Sequence, residues 1–321
     1  MKVCIYLLLF LDYFRYIYGE DVAISGSGNI DVAEPKIYFD NNSTFQGDYE
    51  VEKHHNRKLQ KRSSSKIVKF GAFGDTPHGD RERKHFPQRL QQIEARLDFL
   101  VHLGDIYERQ KNCDTSRFDE AAKALKYYSR VPTFVIPGEA DWYNCHDQET
   151  AWDDWSEKFL NFTNNWNHRF KVRHQEGRPE NFAFNHNGVL FVSFHIISAS
   201  VRDWKPWKKQ VKDNVLWLHH EVVNNAFSDD VAAIVLMAHA KPHIRRYRLF
   251  HESLIQVTSH IEKPFLYLHT DEHEFQYERE FLVKNMLRVS VGHGGDENAM
   301  EITVEPSAEF PFLIKRKPIY Q

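Results

Sequence analysis

The sequence predicts an α/β protein in which two mixed β-sheets pack face to face, with helices flanking them on the outside. Three observations lead there. From Lys66 onward, short apolar runs alternate with segments of helical period, as strands alternate with crossover helices. The first three of those runs each end in a glycine followed by an acid. Strand-length runs with accompanying helices then recur in the second half, which supplies enough strands for two sheets to cover one another.

The elements follow in chain order. Lys2 provides a positive start, Val3 to Leu11 an apolar run, and Ile17-Tyr18-Gly19 a cleavage site, so residues 1–19 read as a signal peptide. A buried first strand is the other reading of that run. Residues 20–65 show no sustained periodicity and are rich in polar residues, which predicts a disordered or propeptide-like leader. It ends near Lys61-Arg62, a processing site or a plain solvated charge pair.

The domain proper is expected over 66–314. Ile67 to Phe73 is its first strand, and Leu90, Ile93 and Leu97 mark one face of the helix that follows. Phe99 to Leu103 is the second strand, followed by a helix with Phe118, Ala122, Leu125 and Tyr128 aligned. Thr133 to Ile136 is the third. Phe182 to Phe184 and Val189 to Phe194 form a hairpin about Asn187-Gly188, a dipeptide suited to a tight turn. Val211, Val215, Leu218 and Val222 share a helix face, and Ala232 to Met237 and Phe265 to Leu268 are buried strands. Leu287 to Val291 and Glu301 to Val304 read as sheet-edge strands, and 315–321 as a solvated tail.

Composition narrows the function. A formal charge of −3 leaves no electrostatic footprint for a nucleic-acid partner. No apolar run approaches the roughly 20 residues needed to span a bilayer. With Cys4 in the signal, Cys113 and Cys145 remain as a pair that an oxidising compartment joins; two free buried thiols are the alternative. Asn41, Asn42 and Asn161 each begin a glycosylation sequon. Together these features predict a secreted protein.

In α/β sheets, ligands sit beyond the carboxyl ends of parallel strands. Here those ends deliver Asp75, Asp105, Glu139 and His239, and a fifth segment reads His269-Thr270-Asp271-Glu272-His273. In extended backbone His269, Asp271 and His273 would share a face. Carboxylates mixed with imidazoles, without thiolates, suit one or two divalent ions such as Mn, Fe, Zn or Mg. Any one of these residues alone reads as a turn or surface group.

Taken in order, Gly74-Asp75, Gly104-Asp105, Gly138-Glu139-Ala140-Asp141, His239 and Thr270-Asp271-Glu272-His273 resemble the five blocks of the calcineurin-like metallophosphoesterases, from Lys66 to about Ile314. The closer resemblance is to a subgroup with Gly-Asp-x-Pro-Tyr in its first block, here Gly74-Asp75-Thr76-Pro77-His78. That subgroup reads Pro-Gly-Asp-Asn-Glu-Trp and then Cys-His in its third, here Pro137-Gly138-Glu139-Ala140-Asp141-Trp142 and Cys145-His146. The resemblance implies a four-layer αββα sandwich. It implies metal ligands at Asp75, Asp105 (bridging), Glu139, His239, Asp271 and His273, and attack on a phosphoester by a metal-bound hydroxide. Three departures stand out. Pro77 replaces a histidine ligand, Ala140 replaces the histidine that serves the leaving group, and Thr270 replaces a glycine. Asp141, His146 or His78 are the candidates to supply the missing acid.

Two functions follow. One is a secreted metal-dependent hydrolase acting on a phosphorylated small molecule or exposed phosphoester. The other is a catalytically impaired family member acting as a binding protein. Trp204, Trp207 and Trp217 read as helix-packing material, and His54-His55 and His219-His220 as local pairs without a site.

Overall fold

The computed structural model describes residues 67–93, 96–108, 113–295 and 297–316, together with the backbone of 23–24 and 30–31. The chain divides into two units, residues 1–59 and 60–321. In the first, β1 (Ala23–Ile24) and β2 (Ile30–Asp31) pair antiparallel, a short ladder within the leader that composition did not anticipate. The signal peptide, Asn41, Asn42 and Lys61-Arg62 lie outside the described residues.

The second unit carries two sheets. One has five strands in the order β14 (Phe312–Lys315), β13 (Met300–Val304), β3 (Val68–Phe73), β4 (Phe99–His102) and β5 (Thr133–Val135). The other has seven: β11 (Gln276–Arg279), β12 (Met286–Ser290), β10 (Phe265–His269), β9 (Ala233–Ala238), β8 (Val189–Phe194), β7 (Arg178–His186) and β6 (Arg173–Gln175). β3, β4 and β5 run parallel, as do β8, β9, β10 and β12. Their carboxyl ends therefore gather at one rim of each sheet, which is what a ligand site needs.

Three apolar layers hold the sandwich. Between the sheets, Phe99 meets Phe184 and Phe191 edge-on at 5.4 and 5.1 Å, and Phe134 stacks on Phe184 at 4.7 Å. Burying each such ring contributes about 1.5–3 kcal/mol. Helices α1 (Gly79–Gln91), α2 (Ser116–Tyr128) and α3 (Gln148–Phe159) cover the five-stranded sheet through Phe86, Phe118, Leu125 and Trp155. Helices α4 (Trp204–Leu218) and α5 (Arg248–Ser259) cover the other through Trp207, Val211, Phe250 and Leu254.

Several expectations need correction. Ile93 and Leu97 pack in the outer core but lie beyond the end of α1, which stops at Gln91. The buried stripe of α2 is Phe118, Ala121, Ala124 and Leu125; Tyr128 is exposed. Val222 sits in a π turn (His219–Val223) that extends α4 and turns Glu221 inward to Arg173, 2.7 Å away. β12 and β13, both expected at sheet edges, are interior strands, because β11 and β14 take the edges. Trp207 and Trp217 are buried, whereas Trp204 is exposed.

A disulfide joins Cys113 and Cys145, whose Cα atoms stand 5.5 Å apart across 32 positions. Replacing both with serine is expected to lower stability by roughly 3–4 kcal/mol, the entropy of closing such a loop in the unfolded chain. Chemical denaturation with and without reductant measures it, and an unmoved midpoint would contradict that contribution.

Candidate metal centre

The candidate ligands gather where five strand ends meet. Asp75 and Asp105 take left-handed backbone (φ 52° and 53°), as do Asp271 and His273 (71° and 56°). Non-glycine residues adopt that region rarely, and such strain gathers at functional sites. Glycines allow the close approach. A Cβ on Gly138 would stand 2.1 Å from Asp105 Oδ1, and one on Gly104 (φ 100°) would stand 2.8 Å from His239 Nδ1.

His239 lies at the middle. Its Nδ1–H donates to the Leu103 carbonyl at 2.8 Å, so in the neutral ring the lone pair sits on Nε2. From Nε2, Glu139 Oε2 is 3.1 Å away, Asp105 Oδ1 3.6 Å and Asp271 Oδ1 3.9 Å. Two sets of ligand atoms each fall within 4.8 Å of one another, Asp75–Asp105–His239 and Glu139–His239–Asp271. Asp75 Oδ1 is buried and has no hydrogen-bond partner among the described residues, and the buried His239 Nε2 faces carboxylate oxygens, the nearest from Glu139. Orphaned buried polar atoms are costly unless something binds them, and a divalent cation fits this donor set. His273 is more than half exposed, its Nδ1 3.6 Å from Asp75 Oδ2.

The electrostatics match a centre crowded with negative charge. Burial, reinforced by Glu139, Asp141 and Asp75, pushes the Asp105 carboxyl far up. Burial, with Glu139 adding to it, raises Asp271 to about 6. Burial would also raise Glu139, but His239 and Ser198 outweigh it and hold it at about 2. Burial opposes charge on His239, yet Asp105 and Glu139 overcome it and raise its pKa.

Sequence reasoning missed two positioning groups. The Ser198 hydroxyl lies 2.7 Å from Glu139 Oε1 and 2.8 Å from Asp271 Oδ1, and its N–H donates to Glu139 Oε2 at 3.1 Å. It follows β8, a strand parallel to β9, so the topology placed it on the same rim although no motif marks it. The Thr270 hydroxyl donates to Asp75 Oδ2, so the residue replacing a glycine orients a carboxylate.

Other expected residues are placed differently. Asp141 is fully buried and both its oxygens accept backbone N–H groups: Oδ1 from Ile106 (2.8 Å) and Tyr107 (3.3 Å), Oδ2 from Gly138 (2.8 Å) and Asp105 (3.0 Å). It braces the loops that carry Asp105 and Glu139 and has no oxygen left for an acid's role. His146 is exposed before α3, beside Asp147, and belongs to neither ligand set. The His78 Nε2–H donates to the Asp105 carbonyl at 3.0 Å. His269 does not share a face with Asp271 and His273, because β10 ends at His269 and the chain then turns. Its Nε2 instead accepts from Arg288 Nε at 2.9 Å.

Ala140 is 1% exposed and packs in the outer core, while its N–H donates to Asp105 Oδ1 at 2.8 Å. Ala140→His is therefore expected to cost about 1–3 kcal/mol through overpacking. A melting temperature equal to wild type would show that the position has room for an imidazole.

The model of the calcineurin-like phosphoesterase family matches residues 68–278. The chain belongs to the calcineurin-like phosphoesterases. Its fold is similar to that of a dimetal phosphatase from Danio rerio, with 13% identity, 78% of this chain and 96% of that chain covered, and a TM-score of 0.57. A 5'-nucleotidase from Candida albicans is also similar, at 12% identity over 78% of this chain and 50% of that chain, with a TM-score of 0.48. No curated protein sequence matches significantly. As a calcineurin-like phosphoesterase the chain is a metal-dependent hydrolase of phosphoester bonds. In this member the positions of Pro77 and Ala140 offer no side-chain ligand or acid.

Proposed function

We propose that this chain is a secreted phosphoester hydrolase in which Asp75, Asp105, Glu139, His239, Asp271 and His273 hold divalent cations. The observation that carries the reading is the buried Asp75 Oδ1, left without a hydrogen-bond partner among the described residues, beside a His239 Nε2 that faces three carboxylates. Cations held by these residues would supply Lewis acidity toward a water and positive charge for the phosphoryl oxygens. The chain's own residues do the rest. Leu103 fixes the His239 tautomer, Ser198 sets the spacing of Glu139 and Asp271, and Asp141 holds the loops of Asp105 and Glu139 together.

The substrate class is a phosphorylated small molecule or exposed phosphoester whose leaving group departs without a dedicated acid, since Ala140 presents none. Secretion is supported by the apolar N-terminal run, the Cys113–Cys145 bond and the exposed sequon at Asn161. No helix among the described residues is long and apolar enough to cross a membrane.

Metal analysis of the purified protein, paired with hydrolysis of an activated aryl phosphate, tests the reading, with Asp75→Ala as control. Turnover that needs metal and fails in the control is expected; protein that neither holds metal nor turns over refutes it. Ala140, with its methyl packed in the core, is the specific observation favouring a binding protein. Bound metal without turnover of any phosphoester would select that second reading.

A further inference from the structure

The two halves of the centre are not equivalent. Around His239 Nε2 stand three carboxylates, from Asp105, Glu139 and Asp271, so one imidazole is matched with three anionic oxygen donors. Oxygen-rich sets suit hard cations, whereas each imidazole added shifts preference toward zinc and its neighbours. Ser198 has one hydroxyl proton yet lies within hydrogen-bond distance of two carboxylate oxygens. It can serve only one at a time, and the repulsion left between Glu139 and Asp271 is what a cation resting on both relieves.

Beside Asp75 the provision is thinner. Pro77 has no donor, and His273 is 57% exposed. One Asp75 oxygen is already engaged by Thr270 and by the Asp271 N–H. What remains is Asp75 Oδ1, a share of Asp105, and an imidazole more than half open to water.

Resting on the metal-dependent reading above, we propose that Asp105, Glu139, His239 and Asp271 form a tight position for one hard divalent cation of the Mn2+ and Mg2+ class, and that the position beside Asp75 and His273 fills only afterwards and weakly. Ser198 is a positioning residue for the tight site, spacing its two carboxylates.

The test is calorimetric titration of the chelator-stripped full chain with MnCl2 and ZnCl2, alongside Mn2+ electron paramagnetic resonance. One tight Mn2+ is expected, with a second bound at least about 30-fold more weakly, because ligand number and charge set affinity. At substoichiometric Mn2+ the spectrum should be that of isolated ions. Glu139→Asn with Asp271→His should raise the affinity for Zn2+ relative to Mn2+ by at least about 10-fold, since a neutral amide and a second imidazole soften the site. Ser198→Ala, a smaller change that keeps every ligand, should weaken Mn2+ roughly 10-fold, as loss of a ligand's supporting partner does. Two Mn2+ ions of equal affinity with spin-coupled signals, or an unchanged Zn2+ to Mn2+ ratio in the double variant, overturns this inference while leaving the hydrolase reading intact. Binding of no divalent ion overturns both.

Discussion

Asp105→Asn is expected to abolish metal-dependent turnover while leaving the metal-free fold at least as stable as wild type. The carboxylate belongs to the Asp75–Asp105–His239 set, its Oδ1 3.6 Å from the His239 Nε2 that faces both sets, and is crowded by Glu139, Asp75 and the buried Asp141. Replacing it with an amide retains an oxygen for the Ala140 N–H and removes one of the repelling charges. Metal-free stability should therefore hold or rise, the familiar opposition between function and stability. Activity should fall by roughly 10³-fold or more, because bound cations supply several kcal/mol of transition-state charge stabilisation. Thermal melts in chelator and initial rates with added Mn2+ measure the two effects. A variant that melts much earlier than wild type without metal would mean that Asp105 is chiefly structural.

Asp141→Ala should have the opposite signature. Four backbone N–H groups lose their acceptor at once, and each unsatisfied buried donor costs about 1–3 kcal/mol. A loss of at least about 4 kcal/mol is expected, large for one substitution and traceable to a named network. Asp141→Asn separates this from a catalytic role, since its amide nitrogen must face two N–H donors; it should also melt early, by several degrees or more. Normal melting with lost activity in both variants would restore Asp141 to the chemistry and remove it from the scaffold.

Much of the fold was legible in the residues because parallel buried strands announce themselves as apolar runs, and their ends as glycine plus acid. Asp75, Asp105, Glu139 and His239 each leave a strand of that kind. What escaped reading depends on backbone conformation or on distant partners. The alternation at 269–273 suggested one face, but left-handed Asp271 and His273 break the extended geometry that alternation assumes. Asp141 has the composition of an acid catalyst, and only the four N–H groups around it show a brace. Ser198 carries no motif; its place comes from the register of β8 against β9. The π turn at His219–Val223 is likewise invisible to a helical-period count that runs smoothly through Val222.

Asp75, Asp105 and Glu139 leave the five-stranded sheet, whereas Ser198, His239 and Asp271 leave the seven-stranded one, and the bond from His239 to Leu103 already crosses between them. An ion gripped here would act as a rivet through both plates of the sandwich. Sliding one plate over the other would pull its ligands apart, so alterations to the distant Phe99–Phe184 seam should register as changes in ion retention before they register as unfolding.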